Sequence, residues 1–578
     1  MRWLVMIRLK TSRVIPQYLP GLKRLLSYQR AWLRGDLLAG LTVAAYLIPQ
    51  CMAYGELAGV QPVAGLWAIL PPMLIYALLG SSPQLSIGPE STTAVMTAAA
   101  IAPLTTADPQ AYAGLASLMA FAVGVVCLIG YLARLGFLAN LLSKPILIGY
   151  MAGVAVIMIA GQLGKISGMK LAAKDALGQI YEFLQRSSEI HWATLILSIL
   201  VLGFLLAIQR WFPKLPGPLL AVLCATAAVG IFDLQHWGVR VVGEIPAGLP
   251  RLAMPNLATA DLVPLIAAAI GIALVGYSDN VLTARSFASR NHYTVNANQE
   301  LLALGVANFG NGFMQGFPIS SSGSRTVIGD ALGSKTQVFS LVAFVVVVVV
   351  LLFLRPVLAL FPNAALGAIV IYAATKLIEV SEFRRLQGFR RSEFALALIT
   401  TLGVLLTDIL VGVGIAVGLS VIELFARLSR PHDAVMGEVP GLPGLHDIED
   451  WSGATTIPGL VIYRYDAPLC FANVENFKRR AWAAIAAETT PVEWFVLNTE
   501  AISEVDMTAI EALAEFHSDL AAQGITFALA RVKQDLYAQL KRSGLLQQIT
   551  PERVYFTLHT AISGFEVRFQ PMKDSKQG

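Results

Sequence analysis

Two charged side chains, Asp279 and Arg325, lie in sequence that is otherwise apolar enough to be buried in lipid. A charge inside a membrane is costly, so such residues face a bundle interior or a cavity and mark pathways for substrates or ions. Asp279 could bind a cation or carry a proton, whereas the guanidinium of Arg325 would attract an anion. The structural alternatives are a salt bridge, from Asp279 to Arg285 or Arg325, or an Arg325 side chain that extends to the membrane surface.

Helix-breaking residues interrupt the apolar sequence beside small polar residues, in Ile-Pro-Gln-Cys-Met-Ala-Tyr at 48–54 and Ser-Ile-Gly-Pro-Glu-Ser at 86–91. Backbone freed from a helix at membrane depth must be satisfied by protein, ligand or a water-filled cavity. The pattern therefore predicts a polar site between helices. Gln50 and Tyr54 lie four residues apart on one helical face and could line that site, although Tyr54 could equally serve packing.

The composition is that of a polytopic membrane protein. Of 578 residues, 56% are hydrophobic and only 14% are charged, against about 25% charged in a soluble globular protein. The four cysteines are scattered, and we find no metal-ligand spacing, P-loop or nucleophile elbow. We therefore expect no enzyme, no cofactor, no metal centre and no nucleic-acid partner.

The apolar sequence between residues 37 and 428 divides into about fourteen segments near the length of a spanning helix, several of them short or broken. A basic segment without an acidic residue precedes Asp36, which predicts a cytoplasmic N-terminus in the inner (plasma) membrane. An even number of spans returns the C-terminus to the cytoplasm. Most basic loops agree with this topology; Lys165 to His191 is the exception, and we place it outside as a partly amphipathic connector.

The expected organisation has a basic N-terminal segment (1–36), a transmembrane domain (37–430), a linker (431–445), a soluble α/β domain (446–570) and a tail (571–578). Proline and glycine near residues 440–444 suggest the linker. Within the soluble domain, hydrophobic patterning predicts strands at Gly459–Tyr463, Trp494–Leu497 and Ile525–Ala530, and helices at Thr508–Ala522 and Gln534–Arg542. The result is a small α/β sandwich.

Several motifs occur in an order that resembles the SulP anion permeases, which include sulfate permeases and their animal anion-exchanger relatives. They are IPQCMAYGELAG (48–59), PVAGLW (62–67), GSS (80–82), GPES (88–91), NQEL (298–301), GFP (316–318) and SRT (324–326). The C-terminal part resembles a STAS domain, so the resemblance covers nearly the whole chain.

The resemblance implies an all-α membrane domain with a 7+7 inverted repeat of the uracil-permease type, in which a core domain moves against a gate domain. Half-helices after Gly88-Pro89 and near Ser322-Gly323-Ser324 would face each other, and their N-terminal N–H groups would form an anion site. The implied substrate-binding residues are Gln50, Tyr54, Ser91, Ser322, Ser324 and Arg325.

The spacing of Asp279 and Thr283 resembles cyanobacterial sodium-dependent bicarbonate transporters, in which the matching residues contribute to the sodium site. In other SulP proteins the corresponding acid is linked to proton coupling. The resemblance thus implies that Asp279 and Thr283 bind a coupling ion, Na⁺ or H⁺.

Thr508 occupies the phosphoacceptor position of the loop Val505–Ile510, as in STAS and anti-sigma-factor antagonist domains. Asp506 and Thr508 also make a plausible N-cap, which we favour. We expect this domain to stabilise a homodimer or to bind a regulatory protein rather than to catalyse a reaction.

We therefore expect a secondary transporter that imports a small anion, sulfate first, coupled to H⁺ or Na⁺ by alternating access. Sodium-dependent bicarbonate or C4-dicarboxylate transport is one alternative, and an uncoupled channel or exchanger is another. Nucleobase transport is disfavoured by Arg325, and a signalling receptor with a membrane sensor is a further alternative.

Overall fold

The computed structural model describes residues 19–104, 108–140, 143–173, 175–213, 215–246, 248–255, 262–407 and 409–567. The chain divides into two compact units, one ending at Ser420 and one beginning at Val421. Half of the expected N-terminal segment and the whole of the expected tail, 571–578, lie outside the described residues.

The described part of the first unit is helical, apart from two very short strands. Eight described helical segments are long and apolar enough to cross a membrane, the last of which, Val411–Ser429, continues beyond Ser420. Three shorter apolar helices, Ser91–Ile101, Gly217–Ile231 and Val338–Phe353, accompany them. The helices are α1 Pro20–Leu26, α2 Leu33–Leu57, α3 Pro62–Trp67, α4 Leu70–Leu79, α5 Ser91–Ile101, α6 Pro109–Leu132, α7 Lys144–Ser167, α8 Ala176–Gln185, α9 Trp192–Trp211, α10 Gly217–Ile231, α11 Leu262–Asn291, α12 Ala297–Phe313, α13 Gly323–Ala331, α14 Val338–Phe353, α15 Arg355–Ala359, α16 Asn363–Thr375, α17 Val380–Phe389, α18 Arg391–Leu406 and α19 Ile409–Ser429.

These helices pack in two groups. In the first group, α6 packs on α11 and α12, and α2 packs on α3, α13 and α14. In the second group, α7 packs on α16 and α18, and α9 packs on α10 and α16. Small residues permit the close approaches: a Cβ added at Gly124 would lie 2.5 Å from the Phe309 nitrogen, and one at Gly149 would lie 2.1 Å from the Ala397 oxygen. The two groups correspond to the core and gate that the resemblance implies.

Two strands, β1 Ile87–Gly88 and β2 Ser320–Ser321, each stand immediately before a short helix of the first group. They pair antiparallel, with Ile87 opposite Ser321 and Gly88 opposite Ser320. This pairing satisfies the backbone that leaves the helices at membrane depth. It places the starts of α5 and α13 beside each other, as predicted for the two half-helices.

The second unit is an α/β sandwich. Its sheet has the strand order β4-β3-β5-β6-β7-β8, with β5 to β8 parallel and β3 antiparallel to both of its neighbours. Apolar clusters cover both faces, one around Phe495, Phe516 and Phe527 and one around Trp494 and Phe565. The elements are β3 Asp433–Glu438, β4 Leu445–Asp447, β5 Leu460–Tyr465, α20 Val474–Ala487, β6 Trp494–Asn498, α21 Met507–Ala522, β7 Thr526–Ala530, α22 Gln534–Arg542, α23 Leu545–Ile549, β8 Val554–Tyr555 and α24 Leu558–Glu566.

The expected linker, 431–445, differs from the structure. Strand β3 lies inside it and pairs with β5, and β4 begins at its last residue. Ala434 and Met436 point into the core, and the Asp433 carboxylate accepts hydrogen bonds from Tyr463 and Arg480. The proline and glycine residues that suggested a linker instead form the turn between β3 and β4.

Candidate functional site

A cavity of about 600 Å³ lies between the two helix groups of the first unit. Helix α2 and both half-helix starts line it from one side, and α9, α10 and α16 line it from the other. Most of the residues that the sequence predicts for the site meet here: Gln50, Tyr54, Ser91, Asp279, Thr283, Ser322 and Ser324 all line this one cavity.

Arg325 lies behind the cavity wall rather than in it. Its side chain is fully buried. The guanidinium donates through Nη1 to the carbonyl oxygen of Pro89 at 2.9 Å and to Oε1 of Gln50 at 3.2 Å, and through Nε to Ser86 Oγ at 3.3 Å. Arg325 therefore ties together both helix breaks and α2, and it does not extend to a surface.

A directed chain of hydrogen bonds runs from Arg325 to the cavity. Because a guanidinium has only donors, it holds the carbonyl end of the Gln50 amide toward itself. The Gln50 Nε2 then donates to the Tyr54 hydroxyl oxygen at 2.9 Å. The tyrosine proton is left to donate elsewhere, so this chain brings a hydrogen-bond donor to the cavity wall.

The N-terminus of α13 is open to the cavity. Its cap is neutral, since the Ser322 hydroxyl accepts from the Arg325 backbone nitrogen and also contacts Ser324 Oγ at 3.2 Å. A Cβ added at Gly323 would meet no atom within 4 Å, so space lies directly beside the first residue of the helix. Unpaired backbone N–H groups and the positive helix end suit an anion here.

The N-terminus of α5 is capped by a charge. The Glu90 carboxylate accepts from the Thr92 backbone nitrogen at 2.6 Å and from Ser91 Oγ at 2.5 Å. An acid at this position is favourable for the helix, but it occupies donors that an anion would otherwise use. Ser91 thus lines the cavity with its hydroxyl proton directed to Glu90, and the two half-helix ends are not equivalent.

Asp279 is half-buried on α11 and accepts a hydrogen bond from Ser321 Oγ at 2.9 Å. Thr283 follows one turn later on the same helix and lines the same cavity. Carboxylate and hydroxyl oxygens are hard ligands of the kind that alkali and alkaline-earth cations take in proteins. Within the described ranges, three or more His, Cys, Asp or Glu residues do not gather into a metal site.

Among the lining residues that escaped the sequence reasoning are Tyr46, Tyr372 and Lys376. Tyr46 lies four residues before Gln50, as Gln50 lies four before Tyr54, so the helical period offered a signal. The Lys376 ammonium lies 4.3 Å from the centroid of the Tyr372 ring, a cation–π contact. No sequence signal joined α16 to this cavity.

The charges around the cavity do not balance. Glu90, Asp279 and Glu379 line it as carboxylates, whereas Lys376 is the sole lysine or arginine among the described lining residues. Arg325 contributes from behind the wall. Anion binding is therefore opposed by like charge unless a proton or a cation neutralises a carboxylate. The arrangement can bind an anion together with a cation.

Thr508 belongs to the second unit. Asp506 caps α21, since its carboxylate accepts from the Ala509 nitrogen at 2.8 Å and from the Phe471 nitrogen at 2.8 Å. Thr508 is in the first turn with its side chain exposed. The capping role thus belongs to Asp506.

Comparisons with known proteins agree with this architecture. The profile of the sulfate permease family matches residues 33–400, and that of the STAS domain matches residues 453–561. The chain is 52% identical over 549 residues to the "Probable sulfate transporter Rv1739c" of Mycobacterium tuberculosis, covering 95% of this chain and 98% of that protein.

Two solved structures are similar in fold. The murine Solute Carrier 26 family member A9 anion transporter in the inward-facing state gives a TM-score of 0.88 at 23% identity, with 96% of this chain and 95% of that chain covered. The transmembrane domain of the cyanobacterial bicarbonate transporter BicA gives a TM-score of 0.58 at 24% identity, with 68% and 98% covered. The fold is therefore a helical membrane core with an α/β STAS domain.

Proposed function

The chain belongs to the sulfate permease family, a family of multi-pass membrane transporters and not of enzymes, and we propose that it imports sulfate coupled to H⁺ or Na⁺. The 52% identical relative, described as a probable sulfate transporter, supports sulfate as the first substrate. Transport proceeds by alternating access, as the helix group that contains α7, α9 and α16 moves against the other around the cavity.

The main support for this proposal is the charge imbalance of the cavity. An open N-terminus of α13 and a donor from Tyr54 attract the anion, while Glu90 and Asp279 repel it. Neutralising Asp279 with a proton, or with Na⁺ held by Asp279, Thr283 and Ser321, removes one of these repulsions. Anion and cation then favour each other's binding, which is the requirement for cotransport.

The membrane potential explains why sulfate import needs a cotransported cation. Moving one elementary charge against the membrane potential costs about 2.3 kcal/mol per 100 mV, and sulfate carries two negative charges. Entry of the anion alone into an inside-negative cell would be strongly opposed. Each cotransported cation offsets one charge of sulfate.

We further propose that the protein lies in the inner membrane with both termini in the cytoplasm, as the basic loops suggest, and that it forms a homodimer. The STAS domain would then face cytoplasmic regulators. Thr508 is available for phosphorylation, because its side chain is exposed and Asp506 provides the cap.

Sodium-dependent bicarbonate transport is the second candidate, because Asp279, Thr283 and Ser321 together offer oxygen ligands for Na⁺. Uptake of radiolabelled sulfate into proteoliposomes, with unlabelled bicarbonate, succinate or chloride as competitors, separates the candidates. We expect sulfate uptake that only excess sulfate suppresses strongly. No sulfate uptake by folded protein, with bicarbonate or succinate uptake instead, would contradict sulfate as the substrate.

A further inference from the structure

A second cavity, of about 460 Å³, lies toward the opposite ends of two helices that also line the cavity described above. Helix α9 contributes Thr194 near its start to the second cavity and Gln209 near its end to the first. These two residues are about 22 Å apart along an α-helix. Helix α16 likewise contributes Asn363 at its start and Tyr372 near its end. The second cavity, here the far cavity, therefore lies on the other side of the membrane unit.

Among the described residues that line the far cavity, basic side chains outnumber acidic ones. Lys165, His191 and Arg240 line it. Glu189, the one acid among its described lining residues, is already held by Arg186 through Nε–Oε1 and Nη2–Oε2 contacts of 3.0 and 2.5 Å. The His191 Nδ1 accepts from the Thr194 backbone nitrogen at 3.3 Å, so the neutral ring keeps its proton on Nε2 as a donor.

Lys165 joins the two helix groups at this end. Its Nζ lies 2.9 Å from Oε1 of Glu56, with the two side chains 30% and 18% exposed. Glu56 lies in the last turn of α2 and Lys165 in the last turn of α7, and these helices belong to different groups. A third cavity, of about 570 Å³, is lined by both residues, so Lys165 stands in the wall between two spaces.

We propose that the far cavity is a second anion site, in which a small oxyanion such as sulfate displaces Glu56 from Lys165. The inference rests on the proposed function and adds to it the place where the anion is captured from outside the cell. Lys165 exchanges one negative partner for another, so its charge stays compensated throughout. Loss of the Glu56–Lys165 pair removes an ionic contact between the helix groups at this end and favours their separation there.

A reporter cysteine tests anion binding directly. Gly161 lines both the far cavity and the third cavity, and a Cβ added there would meet only Gln179 Oε1, at 3.9 Å. In purified full-length Gly161→Cys, with Cys224 and Cys470 replaced by serine, the rate of modification by a charged methanethiosulfonate is measured against sulfate and bicarbonate concentration. Gluconate at equal ionic strength is the control. We expect sulfate or bicarbonate to slow modification at least several-fold.

Variants of the ion pair identify the residue responsible. Lys165→Gln should lose the protection, Lys165→Arg should retain it, and Glu56→Gln should lower the half-protecting sulfate concentration several-fold, because Lys165 is no longer occupied. Lys170→Gln removes an exposed lysine of the same connector and should change nothing. Protection by neither anion, or equal protection in Lys165→Gln, would overturn the proposal.

This measurement requires no transport, so the two proposals can fail separately. Protection that depends on Lys165, in a protein that takes up no sulfate, supports the far site and contradicts sulfate import. Sulfate uptake without protection of Gly161→Cys supports import and overturns the far site.

Discussion

Arg325, Gln50 and Tyr54 show how a buried arginine can act on a cavity that it does not enter. Arg325 is fully buried and donates to Gln50 Oε1, which fixes the orientation of the amide. The amide in turn donates to the Tyr54 hydroxyl, whose proton remains available to the cavity. We therefore predict that the arginine acts through this chain as a positioning residue as well as a positive charge.

Tyr54→Phe removes the donor at the end of this chain and keeps the ring. One hydrogen bond contributes about 0.5–1.5 kcal/mol, so we expect the KM for sulfate to rise roughly three- to tenfold. Radiolabelled uptake gives the KM, and thermal unfolding in detergent gives the stability. Tyr112→Phe is the matched control, since that hydroxyl donates to the Ala58 carbonyl away from the cavity. A similar rise of KM in both variants would contradict a specific role for Tyr54.

Arg325→Leu leaves the Gln50 amide oxygen and the Pro89 carbonyl without their donor. A buried acceptor left unpaired costs about 1–3 kcal/mol, so we expect a clear loss of thermal stability together with weaker sulfate binding. Arg325→Lys keeps the charge but not the fork of donors, and should fall between Leu and the native residue. If Arg325→Leu kept the thermal stability and the sulfate affinity of the native protein, these hydrogen bonds would contribute to neither property.

How far the sequence predicts the site can be judged residue by residue. Gln50, Tyr54, Asp279 and Thr283 were selected for polarity in apolar surroundings or by resemblance, and they meet in one cavity; their roles stay predictions. The placement of Arg325 behind the wall could not be predicted, because it depends on the crossing of two helix breaks with α2. Lys376 was missed for a similar reason, since tertiary packing alone brings α16 to the cavity.

Among the secondary-structure elements, the two half-helices are alike in position and different in charge. Both follow a two-residue strand, and those strands pair with each other. Helix α5 is capped by the Glu90 carboxylate and α13 by the Ser322 hydroxyl. The α13 end therefore keeps a positive field for an anion, while the α5 end is neutralised by its own cap.

Glu90→Gln tests this difference. The amide oxygen can still accept from the Thr92 nitrogen, but one negative charge leaves the cavity lining. We expect the KM for sulfate to fall several-fold, with a small loss of stability of about 0.3–1 kcal/mol from the helix end. Asp108→Asn makes the same change at the cap of α6, outside the described cavity lining, and should leave the KM unchanged. An unchanged or higher KM in folded Glu90→Gln would contradict the account.

The sequence predicted secondary-structure elements correctly where hydrophobic residues repeat regularly along one face of the element. The strands expected near residues 460 and 494 and the helix Gln534–Arg542 occur as predicted. Strand β3 was missed because it lies beside several proline and glycine residues, and because burial of Gly437 next to Ala434 and Met436 interrupts the alternation between its two faces.

At the scale of the whole molecule, the cavity lies between two helix groups and each group brings charge to it. Glu90 and Asp279 belong to the group that contains α2, whereas Lys376 and Glu379 follow α16 in the other. In the proposed mechanism, movement of one group against the other would therefore change the charge that surrounds a bound anion. A cation bound at Asp279 would offset one of the two negative charges of sulfate during that movement.

The most direct test of this account is sulfate binding and gradient-driven uptake, compared between the native protein and Asp279→Asn over a range of pH and Na⁺ concentration. Glu244→Gln, the same chemical change at an exposed acid outside the described cavity lining, is the control. We predict that native binding tightens with H⁺ or Na⁺, and that Asp279→Asn binds sulfate without either ion yet loses uptake driven by their gradients. Native binding and uptake that are indifferent to both ions, or an Asp279→Asn variant that still follows the gradients, would contradict it.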